Sequence, residues 1–166
     1  MKNIFITLTG FQITWLSCLL GEYYNYYYLG IIVGTIYIAL FFIFNKNRIR
    51  SLKIISLFST IGYFFDSFLA LFDLFNPISS FYLGSLPIWF VIIWLSFATL
   101  FVNVFSFLKN KYFLSFILGS IFGPSAYYFG IIIDIATTTN IYYFLFIMFL
   151  FWGFYLSFYS FIIKRF

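Results

Sequence analysis

Few side chains in this sequence could do chemistry. There are four carboxylates, Glu22, Asp66, Asp73 and Asp134, no histidine, and a single cysteine, Cys18. Asp66 and Asp73 stand seven residues apart. That is about 10.5 Å along a helix, whereas two carboxyls that share a proton must approach to about 3 Å. They are therefore not an acid–base dyad within one helix. Asp66 alone remains a candidate acid, base, ion ligand or headgroup ligand, with a structural hydrogen bond as the equal alternative. The amide and hydroxyl groups that could join it are Gln12, Ser67, Thr99, Asn103 and Ser125. A proline at 124 adds the main-chain oxygen of Ser120, which loses its helical donor. No metal or cofactor is expected. Zinc needs His or Cys clusters, and Ser-His-Asp catalysis needs a histidine. An intramolecular disulfide needs a second cysteine.

The elements that must hold these groups follow from composition. Of 166 residues, 64% are hydrophobic and 8% are charged, with a mean hydropathy of +1.07. A soluble domain of this size cannot hide so much apolar surface, but a bilayer can surround it. One helical crossing takes about 20 apolar residues, so the chain predicts an all-α membrane bundle of about six helices in one unit, 1–166. The helices are expected at 4–20, 29–44, 54–75, 87–108, 112–133 and 141–163. Gly123-Pro124 is expected to break the fifth near its middle, either freeing the Ser120 carbonyl to line a cavity or, equally, making a kink that improves packing. The stretch 78–86 is expected to be a connection lying in the interface, and Tyr23 to Tyr28 an aromatic anchor at headgroup level.

Charge supports the same count. The basic residues fall in clusters at Lys2, at Lys46 to Lys53, at Lys109 and Lys111, and at Lys164 and Arg165. Six crossings put every cluster on one side, which the positive-inside rule makes cytoplasmic, with Glu22, Asp73 and Asp134 opposite. The net charge of +5 then reads as topogenic, with membrane lipids as the partner and no nucleic acid. Leu16-Ser17-Cys18 hints at a cleaved lipoprotein signal, but Trp15 and Gln12 interrupt that pattern, so the first segment is expected to stay as a helix. The 29 phenylalanines and 15 tyrosines are the residues an AT-rich genome favours where a position only needs to be greasy.

Asp66 lies 13 residues after Lys53. That is about 20 Å along a helix, inside a hydrocarbon core of roughly 30 Å. A carboxylate there is costly unless it is protonated, hydrogen-bonded or facing water. Gln12, at similar depth, is expected as its partner. The pairs Gly30/Gly34 and Gly119/Gly123 have the spacing that lets helix backbones approach closely, within the chain or between chains.

Four blocks carry a resemblance. They are Phe11-Gln12-x-x-Trp15-x-x-Cys18-x-x-Gly21, Gly62-x-x-x-Asp66-Ser67, Leu86-Pro87-x-Trp89 running to Trp94-x-x-Phe97-Ala98-Thr99-Leu100, and Gly119-x-x-x-Gly123-Pro124-x-x-Tyr127. In this order the chain resembles the bacterial inner-membrane family catalogued as domain of unknown function number two-eight-seven-eight. The resemblance implies a compact multi-helix protein of the inner membrane with no established activity. It marks Gln12, Trp15, Cys18, Asp66, Ser67, Pro124 and Tyr127 as motif positions. After Thr99 the chain departs from the family pattern, so no role for Asn103 carries over. At fold level only, it is similar to the rod-shape protein of the MreD type and to the substrate-capture subunits of energy-coupling-factor transporters.

Three functions stay open: a non-enzymatic subunit, scaffold or small-ligand capture component, acting alone, as a homo-oligomer or with another membrane protein; an intramembrane lipid- or isoprenoid-modifying enzyme using Asp66; and a proton-coupled transporter component. The first is favoured, because no catalytic constellation is present.

Overall fold

The structure, a computed structural model, describes residues 2–166. Six α-helices carry the fold: α1 (Lys2–Tyr23), α2 (Leu29–Phe44), α3 (Arg48–Leu71), α4 (Ile88–Asn103), α5 (Tyr112–Ile132) and α6 (Ile141–Ile162). Short 3₁₀ turns, Phe105–Leu108 and Ile163–Arg165, extend α4 and α6. The all-α expectation holds. Four helical segments are long and apolar enough to cross a membrane: Asn3–Tyr23, Arg48–Leu71, Tyr112–Ile132 and Ile141–Arg165. The apolar helices α2 and α4 are shorter, at 16 residues each.

Four helix ends depart from the expected boundaries by three residues or more: α1 runs on to Tyr23 rather than residue 20, α3 stops at Leu71 rather than 75, and the start of α3 and the end of α4 also move. The third helix begins at Arg48 rather than at residue 54, because Arg and Lys are good helix formers and carry α3 past the greasy stretch. The fourth does not run to Leu108 as one α-helix. It ends at Asn103 and tightens into the 3₁₀ turn.

Glycines let the helices meet. A Cβ on Gly30 would overlap the Cys18 main chain of α1. One on Gly34 would overlap Ile92 of α4 and Thr14 of α1, and one on Gly62 the Trp94 ring. Gly119 abuts the main-chain carbonyl of Trp152, and Gly123 abuts its ring. Both glycine pairs therefore serve contacts within this chain. Gly153 of α6 does the same against Phe116 and Ser120.

Aromatic packing fills the centre. Phe58 of α3 and Phe101 of α4 lie 4.4 Å apart between ring centroids. Tyr155 and Tyr159 of α6 cover them and donate hydroxyl hydrogen bonds of 2.7 Å to the Phe58 and Phe101 carbonyls. Such bonds tie α6 to two helices distant in sequence, and each buried phenol finds the acceptor it needs.

The ends are closed by capping. After α1, α3 and α5 the chain turns through a left-handed residue, Asn25, Asp73 or Asp134. The N–H groups of Tyr26, Leu74 and Ile135 then reach back to the Gly21, Leu69 and Gly130 carbonyls. This is the Schellman closure, with Asn or Asp where Gly is commonest. The connections beyond carry two short antiparallel ladders. β1 (Asn76–Pro77) pairs with β4 (Ala136–Thr137), and β2 (Tyr82–Leu83) with β3 (Leu86–Pro87). The expected connection at 78–86 carries most of a hairpin, β2–β3, turned at Gly84 with its positive φ. The β1–β4 ladder and a 2.9 Å bond from Ser79 to Glu22 bring the C-terminal ends of α1, α3 and α5 to one end of the bundle.

Candidate functional site: a buried carboxyl node and a second polar cluster

Asp66 sits in the C-terminal third of α3, five residues before Leu71, and is fully buried. Its Oδ2 accepts a 2.7 Å bond from Trp94 Nε1 of α4. The Tyr127 hydroxyl of α5 reaches both oxygens, at 2.9 and 2.8 Å. Three helices are joined at one carboxyl, and both of its oxygens are held by neutral donors. Trp152 of α6 stacks on Trp94 with centroids 5.5 Å apart. Its indole N–H has no partner among the described residues, and neither has that of Trp89. Local sequence explains the approach: Gly62, one turn before Asp66, makes room for the Trp94 ring, and Gly123, one turn before Tyr127, makes room for the Trp152 ring.

Gln12 does not join this node. The inner side of α1 is set by Thr7, Thr14 and Cys18, all buried, at the heptad-like spacing of a helix face. Gln12 lies about 160° round the helix from Thr14 by the 100° step per residue and is exposed. The expected Gln12–Asp66 pair is therefore corrected: Gln12 lies on the outer side of α1, and it is also eleven residues from the end of its helix where Asp66 is five from the end of α3. The expected break at Gly123-Pro124 is corrected too. α5 runs unbroken from Tyr112 to Ile132 with Pro124 buried inside it, as membrane-type helices allow when neighbours pack around the proline.

The other expected residues fall elsewhere. Ser67 and Ser125 donate back to the carbonyls one turn earlier, Tyr63 and Ile121, the usual local use of such hydroxyls. Ser120 Oγ crosses to the Phe149 carbonyl of α6 at 2.9 Å. Thr99 and Asn103 belong to a second cluster. Tyr37 of α2 shares a 2.7 Å bond with Thr99 and donates to the Thr7 carbonyl, while Asn103 Nδ2 donates to Thr7 Oγ1 at 2.9 Å. This cluster pins α1, α2 and α4 together. Thr7 and Tyr37 carried no motif to mark them. Trp94 and Tyr127 did stand in the family blocks, but their indole and phenol donors were hidden in a sequence crowded with aromatic rings.

Two clefts open at the ends of the bundle, and neither touches Asp66. One, of about 360 Å³, is lined by Glu22, Asn25, Tyr27, Ser79 and Asp134 among others. The other, of about 220 Å³, lies between Phe42, Arg48, Ile49 and Leu52. No cluster of three or more His, Cys, Asp or Glu that could hold a metal ion occurs among the described residues. Chemically, the node can hold helices in register. The first cleft can hold a small polar or cationic molecule.

A family model described as Protein of unknown function (DUF2878) matches residues 4–158. No curated protein and no solved structure matches the chain.

Proposed function

The chain belongs to the DUF2878 family, and from that premise we propose that it is a non-enzymatic subunit or scaffold of the bacterial inner membrane. It crosses the bilayer six times, with both termini in the cytoplasm. The observation that carries the non-enzymatic reading is the occupancy of Asp66. Trp94 and Tyr127 take up its oxygens inside the bundle, and both clefts lie away from it. An intramembrane enzyme would need this carboxyl open to substrate with Gln12 beside it, and Gln12 is on the outside of α1. A transporter built on a broken fifth helix loses its support from the continuity of α5.

Length supports six crossings. At 1.5 Å per residue α4 covers about 24 Å, and the 3₁₀ turn after it adds about 8 Å, together enough for a core of roughly 30 Å. The α2 helix, also about 24 Å, fits by local thinning or by its polar flanks reaching outward. Tyr23, Tyr24, Tyr26 and Tyr28 are exposed beside it, at the level where tyrosine anchors to headgroups.

A second reading, small-ligand capture, is favoured by the cleft beside Glu22 and Asp134. Both readings are tested by purifying the chain from its own membrane in mild detergent and identifying what comes with it by mass spectrometry. A stoichiometric membrane protein supports the scaffold, and a bound small molecule supports capture. Lipid extracts of a deletion strain and of an Asp66→Asn strain should match those of the wild type. A missing or accumulated lipid shared by both mutants would return the enzyme to first place. Reporter fusions should place the Lys46–Lys53 and Lys109–Lys111 connections on the same, cytoplasmic side. Opposite sides would remove the six-span reading.

A further inference from the structure

Gln12 presents an unsolved cost. It lies ten residues into α1, about 15 Å from the helix start by the rise per residue, with a comparable length of helix beyond it. Its side chain is exposed, and it makes no side-chain hydrogen bond among the described residues. Every other amide or hydroxyl proposed for the membrane interior does make one: Asn103, Ser67, Thr99, Ser120 and Ser125. An amide left bare in hydrocarbon is costly, because nothing there replaces the hydrogen bonds it makes to water. A carboxamide side chain only a few bonds long cannot reach headgroups from there.

Its neighbours make a seam. Phe5, Thr9, Gln12 and Leu16 fall at steps of four, three and four residues, the repeat that keeps one helix face against another. Phe5 and Leu16 are large and exposed. Two polar side chains, Thr9 and Gln12, thus stand between Phe5 and Leu16, and an amide set within a seam of this repeat is the kind of residue that fixes register between two helices.

We propose that this face of α1 is the contact between two copies of the chain, with the two Gln12 amides hydrogen-bonded to each other across a two-fold axis. The occupant follows from the chemistry of the amide. A carboxamide both donates and accepts, so two of them satisfy each other in an isologous contact. A two-fold axis along the membrane normal sets both copies in the same orientation. Gln12 then meets Gln12 at equal depth with no further requirement. A different protein would have to supply a polar group at that depth by its own design. The proposal rests on α1 lying in lipid, as the function proposed above requires, and extends it by naming the chain's own copy as a partner.

The test uses the full chain in native membrane vesicles, with Cys18→Ala to remove the buried thiol. Leu16→Cys is added on the seam, or Ile36→Cys as an exposed control on α2. Mild oxidation should give a disulfide-linked species of twice the chain mass with Leu16→Cys and not with Ile36→Cys. Single-molecule photobleaching in vesicles at graded protein-to-lipid ratios then reads the dimer equilibrium. Gln12→Leu should weaken it roughly three- to thirtyfold, the range of interhelical hydrogen bonds in membranes, and Gln12→Asn should keep most of it. Equal cross-linking at both positions overturns the proposal. So does a cross-link to a different protein, or a dimer indifferent to Gln12→Leu. A chain washed off membranes by alkaline carbonate would sink the membrane reading and this proposal with it, whereas an integral but monomeric chain would sink this proposal alone.

Discussion

Removing the Tyr127 hydroxyl should have opposite effects depending on what occupies position 66. In the natural sequence Tyr127→Phe strips from a fully buried carboxyl the donor that reaches both its oxygens, at 2.9 and 2.8 Å, and leaves Trp94 alone on Oδ2. Hydrogen bonds to charged groups contribute about 1.5–3 kcal/mol, and a neutral carboxylic acid would bring the loss nearer to about 1 kcal/mol. At roughly 2–4 °C per kcal/mol for a chain of this size, the melting point should fall by roughly 2–12 °C. In an Asp66→Leu background the starting point is already low, because the Tyr127 hydroxyl and the Trp94 N–H both lose their acceptor. There Tyr127→Phe removes a buried orphan instead of creating one, and stability should rise, by about 1 kcal/mol. The four proteins, purified in one detergent, can be compared by tryptophan fluorescence during heating or SDS titration. If Tyr127→Phe lowers stability equally in both backgrounds, within the roughly 0.5 kcal/mol expected of independent sites, then the carboxyl does not hold α3 to α5 and the structural reading of Asp66 fails.

Other consequences can be checked in the same assay. Gly119→Ala should destabilise by more than about 2 kcal/mol through overpacking, because the added carbon meets the Trp152 main chain, which cannot swing aside. Gly130→Ala meets only Ile135 at ordinary contact distance and should be neutral, or stabilising by up to about 1 kcal/mol through helix propensity. Similar costs at the two sites would contradict the packing of α5 on α6. Asp73→Gly and Asp134→Gly should be tolerated or slightly stabilising, since Gly takes the left-handed conformation freely. Asp73→Val should cost about 1–2 kcal/mol. A strong loss from either glycine variant would show that the carboxylate itself is needed. Tyr37→Phe should destabilise by about 1 kcal/mol, and combining it with Thr99→Val should cost less than the sum of the two single changes, because they share one bond. Strict additivity would argue against that bond.

What could be read from the residues was the number and type of the elements. Apolar runs separated by charge and by Gly-Pro-Asn punctuation located all six helices, and α2 falls at 29–44 as expected. Boundaries were less legible, since helix propensity in Arg48, Arg50 and Lys53 carries α3 beyond the greasy segment that hydropathy detects. The candidate site was half legible. Distance along a helix is a sum of residues, so Asp66 could be placed well inside the third helix from Lys53, and it lies five residues before that helix ends. Which side of α1 faces inward is a tertiary choice, made by Thr14 and Cys18 meeting Gly34 and Gly30, and nothing local to Gln12 reveals it. Asp73 and Asp134 were read as residues near water at the outer end. Their place as left-handed helix closures depends on a positive φ, which an aspartate tolerates without announcing.

The β1–β4 ladder joins residues 76–77 to residues 136–137, and the second pair is synthesised only after the whole of α4 and α5. The first four helices must therefore wait, with one edge of Asn76-Pro77 unpaired, until the β4 strand and the helices around it pack beside them. A truncated chain that stops before Ala136 should keep that edge and the Leu74 carbonyl, which Thr138 would otherwise engage, open to quality-control proteases. Completion of the fold is thereby registered at the end of the bundle where α1, α3 and α5 finish, on the far side of α6 from its last turn.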